Sequence, residues 1–294
     1  MFPCDTSYEH FDSAFVAPTF RDMQSDYILP LSRLLSLVAG LYRPPPGRRR
    51  IAIAFAYGLI CHSIFAAAVM AMIVGMYFGM SRGLGQIPSP WNMVANAALL
   101  AQFPLMHSVL LTQKGSKLLT RLAPRTYGRT LSTTTYAVIA SLQLLVLFAL
   151  WTPSGTIWWQ ADGWAFVLMC LLYASAWMLL MKASFDAGAE VQSGALGWMS
   201  LVQNIKPVFP DMPTGGLFRI IRQPIYVAFA LTLWTPPVWT PDQLAIAVTL
   251  TAYCLMAPRL KERRFAARYG DKFETYKTRV PYALPRLTKR EKNG

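Results

Sequence analysis

Residues 222–285 read RQPIYVAFALTLWTPPVWTPDQLAIAVTLTAYCLMAPRLKERRFAARYGDKFETYKTRVPYALP, and this pattern decides the fold. Two apolar arms, the second running from about Asp242 to Ala257, flank Pro236, Pro237 and Pro241, which break any helix between them. Arg222-Gln223-Pro224 brackets the arms on one side and Lys261-Glu262-Arg263-Arg264 on the other. A chain of this pattern dips into a bilayer and returns, which brings both charged brackets to the same side. Between them lies a pocket at the membrane surface, suited to a ligand with an anionic or zwitterionic end whose reactive end points toward lipid.

The rest of the composition agrees with a membrane protein. In 294 residues, 54% are hydrophobic and 14% charged, and the apolar residues come in blocks. The net charge of +14 would suggest nucleic acid in a soluble chain, but here it reports topology. With the apolar blocks taken as spans, 27 of the 28 Lys and Arg fall on one side and Arg82 alone on the other. The positive-inside rule then makes both termini and the bracketed pocket cytoplasmic, and nucleic-acid binding is set aside. The four Cys (4, 61, 170, 254) have no metal or redox spacing and read as small packing residues.

Taken in order, the chain begins with residues 1–28, polar and mildly acidic and without the pattern of a signal peptide. Leu29 to Leu41 is too short to span and contains Arg33, so residues 1–50 form a cytoplasmic lead with an interfacial helix. Residues 51–294 form the membrane domain. Spans are expected at 51–80, 91–111, 131–151 and 163–181, followed by the closing hairpin. The expected fold is all-α and polytopic, with five to six transmembrane helices and a basic cytoplasmic tail. Between the fourth span and the hairpin, Lys182 to Ile221 carries Asp186, Glu190, three Pro and Gly215-Gly216. It reads either as a half-helix covering the pocket or as a plain linker. In the tail, Tyr269, Phe273, Tyr276 and Val280 recur at helical spacing and predict one apolar face.

Arg222-x-Pro224-x-Tyr226, an apolar hairpin, Glu262, Tyr269-Gly270, Tyr276 and Arg279-Val280-Pro281 together resemble the C-terminal signature of membrane methyltransferases of the isoprenylcysteine carboxyl methyltransferase type. Upstream, Phe103 to Pro153 resembles the matching stretch of bacterial methanethiol S-methyltransferases. The resemblance implies S-adenosylmethionine as methyl donor and, as acceptor, a small thiol or a lipid-soluble group such as a prenylated cysteine or lipid amine, reached at the lipid bilayer. It also implies a cofactor region at 215–285 formed by Arg222, Gln223, Pro224, Tyr226, Glu262, Tyr269, Tyr276 and Arg279. These residue types match the parts of such a donor, with an arginine fork for a carboxylate, an acid for an amine or ribose hydroxyls, and aromatic rings for adenine or the cationic sulfur.

Three departures bear on the substrate and on cofactor affinity. Gln223 stands where the family has His, Lys261 replaces the first of two Glu, and Ala183-Ser184-Phe185-Asp186 stands for an Asn-His-Phe-acid pattern. On the substrate side, His107, near the end of the second span, is a candidate to accept a thiol proton or else makes an interhelical hydrogen bond. His62 lies about 9 Å nearer the midplane, so the two do not share a metal site. Asp186 or Glu190 is an alternative candidate base, or simply caps a helix. No metal is required. Two rival classes stay open. One is an NADPH-dependent reductase of the sterol-reductase type, whose 2′-phosphate would fall to Arg259, Arg263 and Arg264; the other is a membrane protein that keeps the fold without chemistry.

Overall fold

The computed structural model describes residues 31–285; the acidic lead at 1–28, Cys4 and the last basic residues lie outside them. Helices dominate. After a short helical stretch at 31–39 come α1 (Arg48–Tyr77), α2 (Trp91–Leu110), α3 (Gln113–Leu122) and α4 (Gly128–Ala149). A two-residue strand β1 (Trp159–Gln160) precedes α5 (Gly163–Asp186), α6 (Ala189–Gln192) and α7 (Ala195–Val202). A 3₁₀ turn at Gly216–Arg219 leads to the hairpin: α8 (Pro224–Trp234), β2 (Val238–Trp239) and α9 (Pro241–Tyr269), with α10 (Asp271–Arg279) closing the described chain.

Five of these helices, α1, α2, α4, α5 and α9, are long and apolar enough to cross a membrane. Large apolar side chains such as Leu59, Trp164 and Leu171 face outward, as they do only where lipid replaces water. The protein is therefore an all-α, multi-pass membrane protein. Its core runs between the helices, where Met76, Leu147, Leu233, Ile246 and Leu250 are fully buried.

The hairpin arms are unequal. With 11 residues, α8 rises about 16 Å, roughly half of the ~30 Å hydrocarbon thickness. Its far end is nevertheless tied to the face opposite the basic brackets. β2 pairs antiparallel with β1, with Trp159 against Trp239. Thr240 caps α9 by accepting from the Gln243 amide at 2.9 Å, and its hydroxyl donates to the Gly79 carbonyl. Asp242 accepts from Trp151 Nε1 at 3.1 Å and from the Ser154 amide at 2.9 Å. Arg222 and Gln223 precede the other end of the short arm, at Pro224.

The segment 182–221 is neither a plain linker nor a simple lid. Helix α7, buried along its length, is wedged between α1 and α4. Cys61 Sγ donates to the Ser193 carbonyl at 3.4 Å, Thr134 Oγ1 donates to the Gly194 carbonyl at 2.7 Å, and Trp198 Nε1 donates to His62 Nε2 at 3.0 Å. Small residues permit this approach: a Cβ on Gly197 would lie 2.5 Å from Thr134 Oγ1, and one on Gly58 2.7 Å from the Trp198 ring. His62 is thereby held in packing, apart from the group around His107.

Candidate functional site

The two brackets do meet. Pro224 opens α8 at its first turn, where the missing N–H costs nothing, and this places Arg222 and Gln223 just before the helix. Backbone bonds from the Arg222 amide to the Pro281 carbonyl (2.9 Å) and from the Gln223 amide to the Tyr282 carbonyl (3.1 Å) dock the chain end against them. From α9, Glu262 reaches across: its Oε1 accepts from Arg222 Nε at 2.9 Å and from Gln223 Nε2 at 2.8 Å, and its Oε2 accepts from an Arg222 terminal nitrogen at 3.4 Å. Arg222 also donates to the carbonyls of Lys277 (3.1 Å) and Val280 (2.6 Å). The guanidinium is thus knitted into the protein.

Beside this clasp lies a narrow cleft of about 10 Å³, lined by Phe218, Arg222, Gln223, Lys261, Glu262 and Tyr276 among others. It has room for about one water, far below the roughly 300–1,000 Å³ of pockets that engulf a small molecule, so the charged end of a ligand enters only as the lining opens. Tyr276 donates to the Phe218 carbonyl at 2.6 Å. Burial pushes its phenol well above the usual range, so it remains a donor at every physiological pH. Lys261 directs its ammonium among three rings, at 5.5 Å from Phe218, 6.0 Å from Tyr226 and 5.3 Å from Phe265.

An aromatic group gathers around His107. The His107 ring lies 5.2 Å from Tyr136 and 6.3 Å from Tyr253, and the Tyr136 hydroxyl is 2.7 Å from His107 Nε2. Phe103 closes the group at 5.1 Å from His107. Tyr253 also stacks edge-on against Phe103 at 6.0 Å, and Arg264 places a positive charge near the group.

Of the expected site residues, Arg222, Gln223, Glu262 and Tyr276 line one cleft, with Pro224 and Tyr226 at its edge. Tyr269 does not face it: Gly270, at φ +49°, breaks the tail helix, so Tyr269 turns to Asp211 while Phe273 and Tyr276 face inward from α10. The tail is two helices, and its apolar face is carried by the second. Arg279 is exposed. Asp186 is bonded on both oxygens, to Lys182 and to the Leu217 amide at 2.9 Å, and holds the turn that carries Phe218.

Sequence reasoning passed over Lys261 as a cleft residue, and over Phe218, Phe265, Tyr136 and Tyr253. Phe265 had a signal, since it stands one helical turn beyond Lys261 on the same face. Tyr136 and Tyr253 had none, because only the packing of α2, α4 and α9 assembles them.

The chain is similar to methanethiol S-methyltransferase 1 of Bradyrhizobium diazoefficiens, 27% identical over 239 residues that cover 79% of this chain and 82% of that protein. It is likewise similar to a methanethiol S-methyltransferase of Crocosphaera subtropica, 29% identical over 200 residues covering 67% and 76%. A further relative is nurim of Xenopus laevis, 25% identical over 213 residues covering 65% and 73%. These relatives bear out the resemblance read from the signature around Arg222 and Glu262. No family model and no solved structure matches the chain.

Proposed function

We propose that this protein is a membrane methyltransferase that moves the methyl group of S-adenosylmethionine to a small thiol such as methanethiol. The observation that carries this reading is the placing of Lys261 and Tyr253 on one helix, α9. Lys261 lies in the polar cleft, and Tyr253, about 12 Å along the helix axis from it, lies 6.3 Å from the His107 ring. A cofactor side and an acceptor side thus share one helix. The names of the relatives supply the reaction class and the thiol.

The cleft fits a charged, hydrogen-bonding ligand end, because Gln223 Oε1 is buried there without a partner. Gln223 and Lys261 would hold the donor, with Tyr276 and Phe218 shaping the floor. When bound, S-adenosylmethionine supplies an electrophilic methyl: the acceptor sulfur forms a bond to that carbon as the donor's carbon–sulfonium bond breaks, leaving S-adenosylhomocysteine.

The chain's own work is alignment, exclusion of water and disposal of one proton. A thiol with a pKa near 8.5 is slightly ionised at neutral pH, so modest assistance is enough. His107 takes the thiol proton, Tyr136 orients its ring, and Arg264 supplies a positive charge that favours the thiolate. An apolar acceptor arrives from the lipid while the donor enters from the basic end. We take that end, with both termini, as cytoplasmic because 27 of 28 Lys and Arg lie there.

Calorimetric titration of the detergent-purified protein with S-adenosylhomocysteine and, separately, with NADPH tests the reading. Binding of the first alone, with dimethyl sulfide released from methanethiol and S-adenosylmethionine, is the expected result. Binding of NADPH alone would replace it with hydride chemistry.

A further inference from the structure

We propose that Lys261 and Gln223 form a cradle for a zwitterionic α-amino-acid end, Lys261 holding the carboxylate and Gln223 Oε1 the ammonium. This rests on the methyl-donor reading and goes beyond it. Arg222, the obvious fork for a carboxylate, is engaged: four hydrogen bonds to Glu262, Lys277 and Val280 hold it. Glu262 in turn receives Arg222 and Gln223, so neither charge of the clasp stands free toward the cleft.

Two groups on the lining are left. Gln223 Nε2 donates to Glu262, which fixes the amide, since an oxygen turned to that carboxylate would be repelled. Its Oε1, on the opposite edge of the amide, is buried and has no donor. Lys261 has no ion pair or hydrogen bond among the described residues. Its ammonium lies among Phe218, Tyr226 and Phe265, rings that attract a cation but accept none of its three protons in the way an oxygen does. An unpaired cation and an orphan acceptor in one cleft complement a carboxylate and an ammonium on one carbon.

Charge decides which end of the donor enters. Arg222, Lys261 and Glu262 leave the cleft with one net positive charge, which favours a carboxylate and disfavours a sulfonium beside Lys261. Lys261 is also the position where the sequence reverses the charge of the pattern it resembles. The reversal is therefore a working part of this site.

The test is calorimetry on the full-length protein with S-adenosylhomocysteine and with its decarboxylated analogue, using wild type, Lys261→Met and Lys261→Arg. Wild type is expected to prefer S-adenosylhomocysteine by about 10- to 100-fold, the worth of one charge-assisted contact. Lys261→Met should lose that preference while binding the decarboxylated analogue as wild type does, and Lys261→Arg should keep it. If Lys261→Met retains the full preference, the cradle is wrong and the methyl-donor reading stands. If wild type binds neither nucleoside, both fall together.

Discussion

Arg222 and Glu262 stand 40 residues apart in sequence and 2.9 Å apart in space, one before the short arm of the hairpin and the other on its long arm. Both are largely buried, with side-chain exposures of 9% and 15%. A buried pair of this kind need not add stability over an apolar pair, but losing one partner leaves the other charge uncompensated, at a cost of about 3–5 kcal/mol. Arg222→Ala and Glu262→Ala should each lower the detergent melting temperature sharply and weaken S-adenosylhomocysteine binding. The double variant should cost much less than the sum of the two. Additive losses in that cycle would mean the clasp is not a unit.

Tyr276 ties the tail to the cleft through the Phe218 carbonyl. Tyr276→Phe removes the donor and leaves that carbonyl unpaired, which should cost roughly 1–3 kcal/mol and weaken ligand binding several-fold. The sign of the pH effect follows from the raised phenol. The folded state holds the proton more tightly than the unfolded chain, so the contribution is complete below the unfolded value of about 10 and is lost as pH climbs toward the folded one. Wild type should lose this part of its stability only at strongly alkaline pH, and Tyr276→Phe should show a shallower alkaline fall in melting temperature.

His107 lies among Phe103, Tyr136 and Tyr253. A proton-accepting role predicts that His107→Ala lowers kcat by about 100-fold or more while leaving S-adenosylhomocysteine affinity unchanged. Raising pH, which ionises the thiol without help, should narrow the gap between variant and wild type. Tyr136→Phe should fall between them. Equal kcat in His107→Ala and wild type would assign His107 to packing.

Much of this was legible. The proline cluster at 236–241 announced the hairpin, and the apolar blocks located the spans to within a few residues at most ends, because membrane helices obey length and hydropathy before anything else. The meeting of Arg222 with Glu262 followed from the same hairpin. Other features were not legible, for physical reasons. The inequality of the hairpin arms depends on where the turn is anchored, by β1, Gly79, Trp151 and Ser154, none of which is near it in sequence. Helix α7 sits in a segment whose Pro and Gly content suggests a loop, and its burial depends on Gly58, Gly197 and the threonines of α4 leaving room. Periodicity misled at Tyr269, where a single glycine at φ +49° resets the face.

That room gives a prediction independent of chemistry. A Cβ on Gly197 would meet Thr134 Oγ1 at 2.5 Å, Thr133 Oγ1 at 2.7 Å and the Thr130 carbonyl at 2.8 Å, the last being backbone that cannot swing aside. Gly197→Ala should therefore destabilise the protein by about 1–3 kcal/mol through overpacking, despite alanine's better helix propensity. An unchanged melting temperature would show that α7 is not held between α1 and α4.

Asp186 is where a catalytic and a positioning role part most cleanly. One oxygen meets Lys182, and the other accepts from the Leu217 amide at 2.9 Å, with Gly216 packed so close that its Cβ would lie 2.2 Å from that oxygen. The second oxygen serves the turn from Gly215 to Arg219, which presents Phe218 to Lys261 and Tyr276, while Lys182 occupies the first. A base must be free to take a proton; a carboxylate in this place need only accept from a backbone amide, which an asparagine oxygen also does. Asp186→Asn should thus keep kcat within about 10-fold of wild type, whereas Asp186→Ala should release the turn and raise the dissociation constant for S-adenosylhomocysteine. A loss of kcat in Asp186→Asn as deep as that in His107→Ala, with binding intact, would instead make Asp186 the base and leave His107 to orient the acceptor.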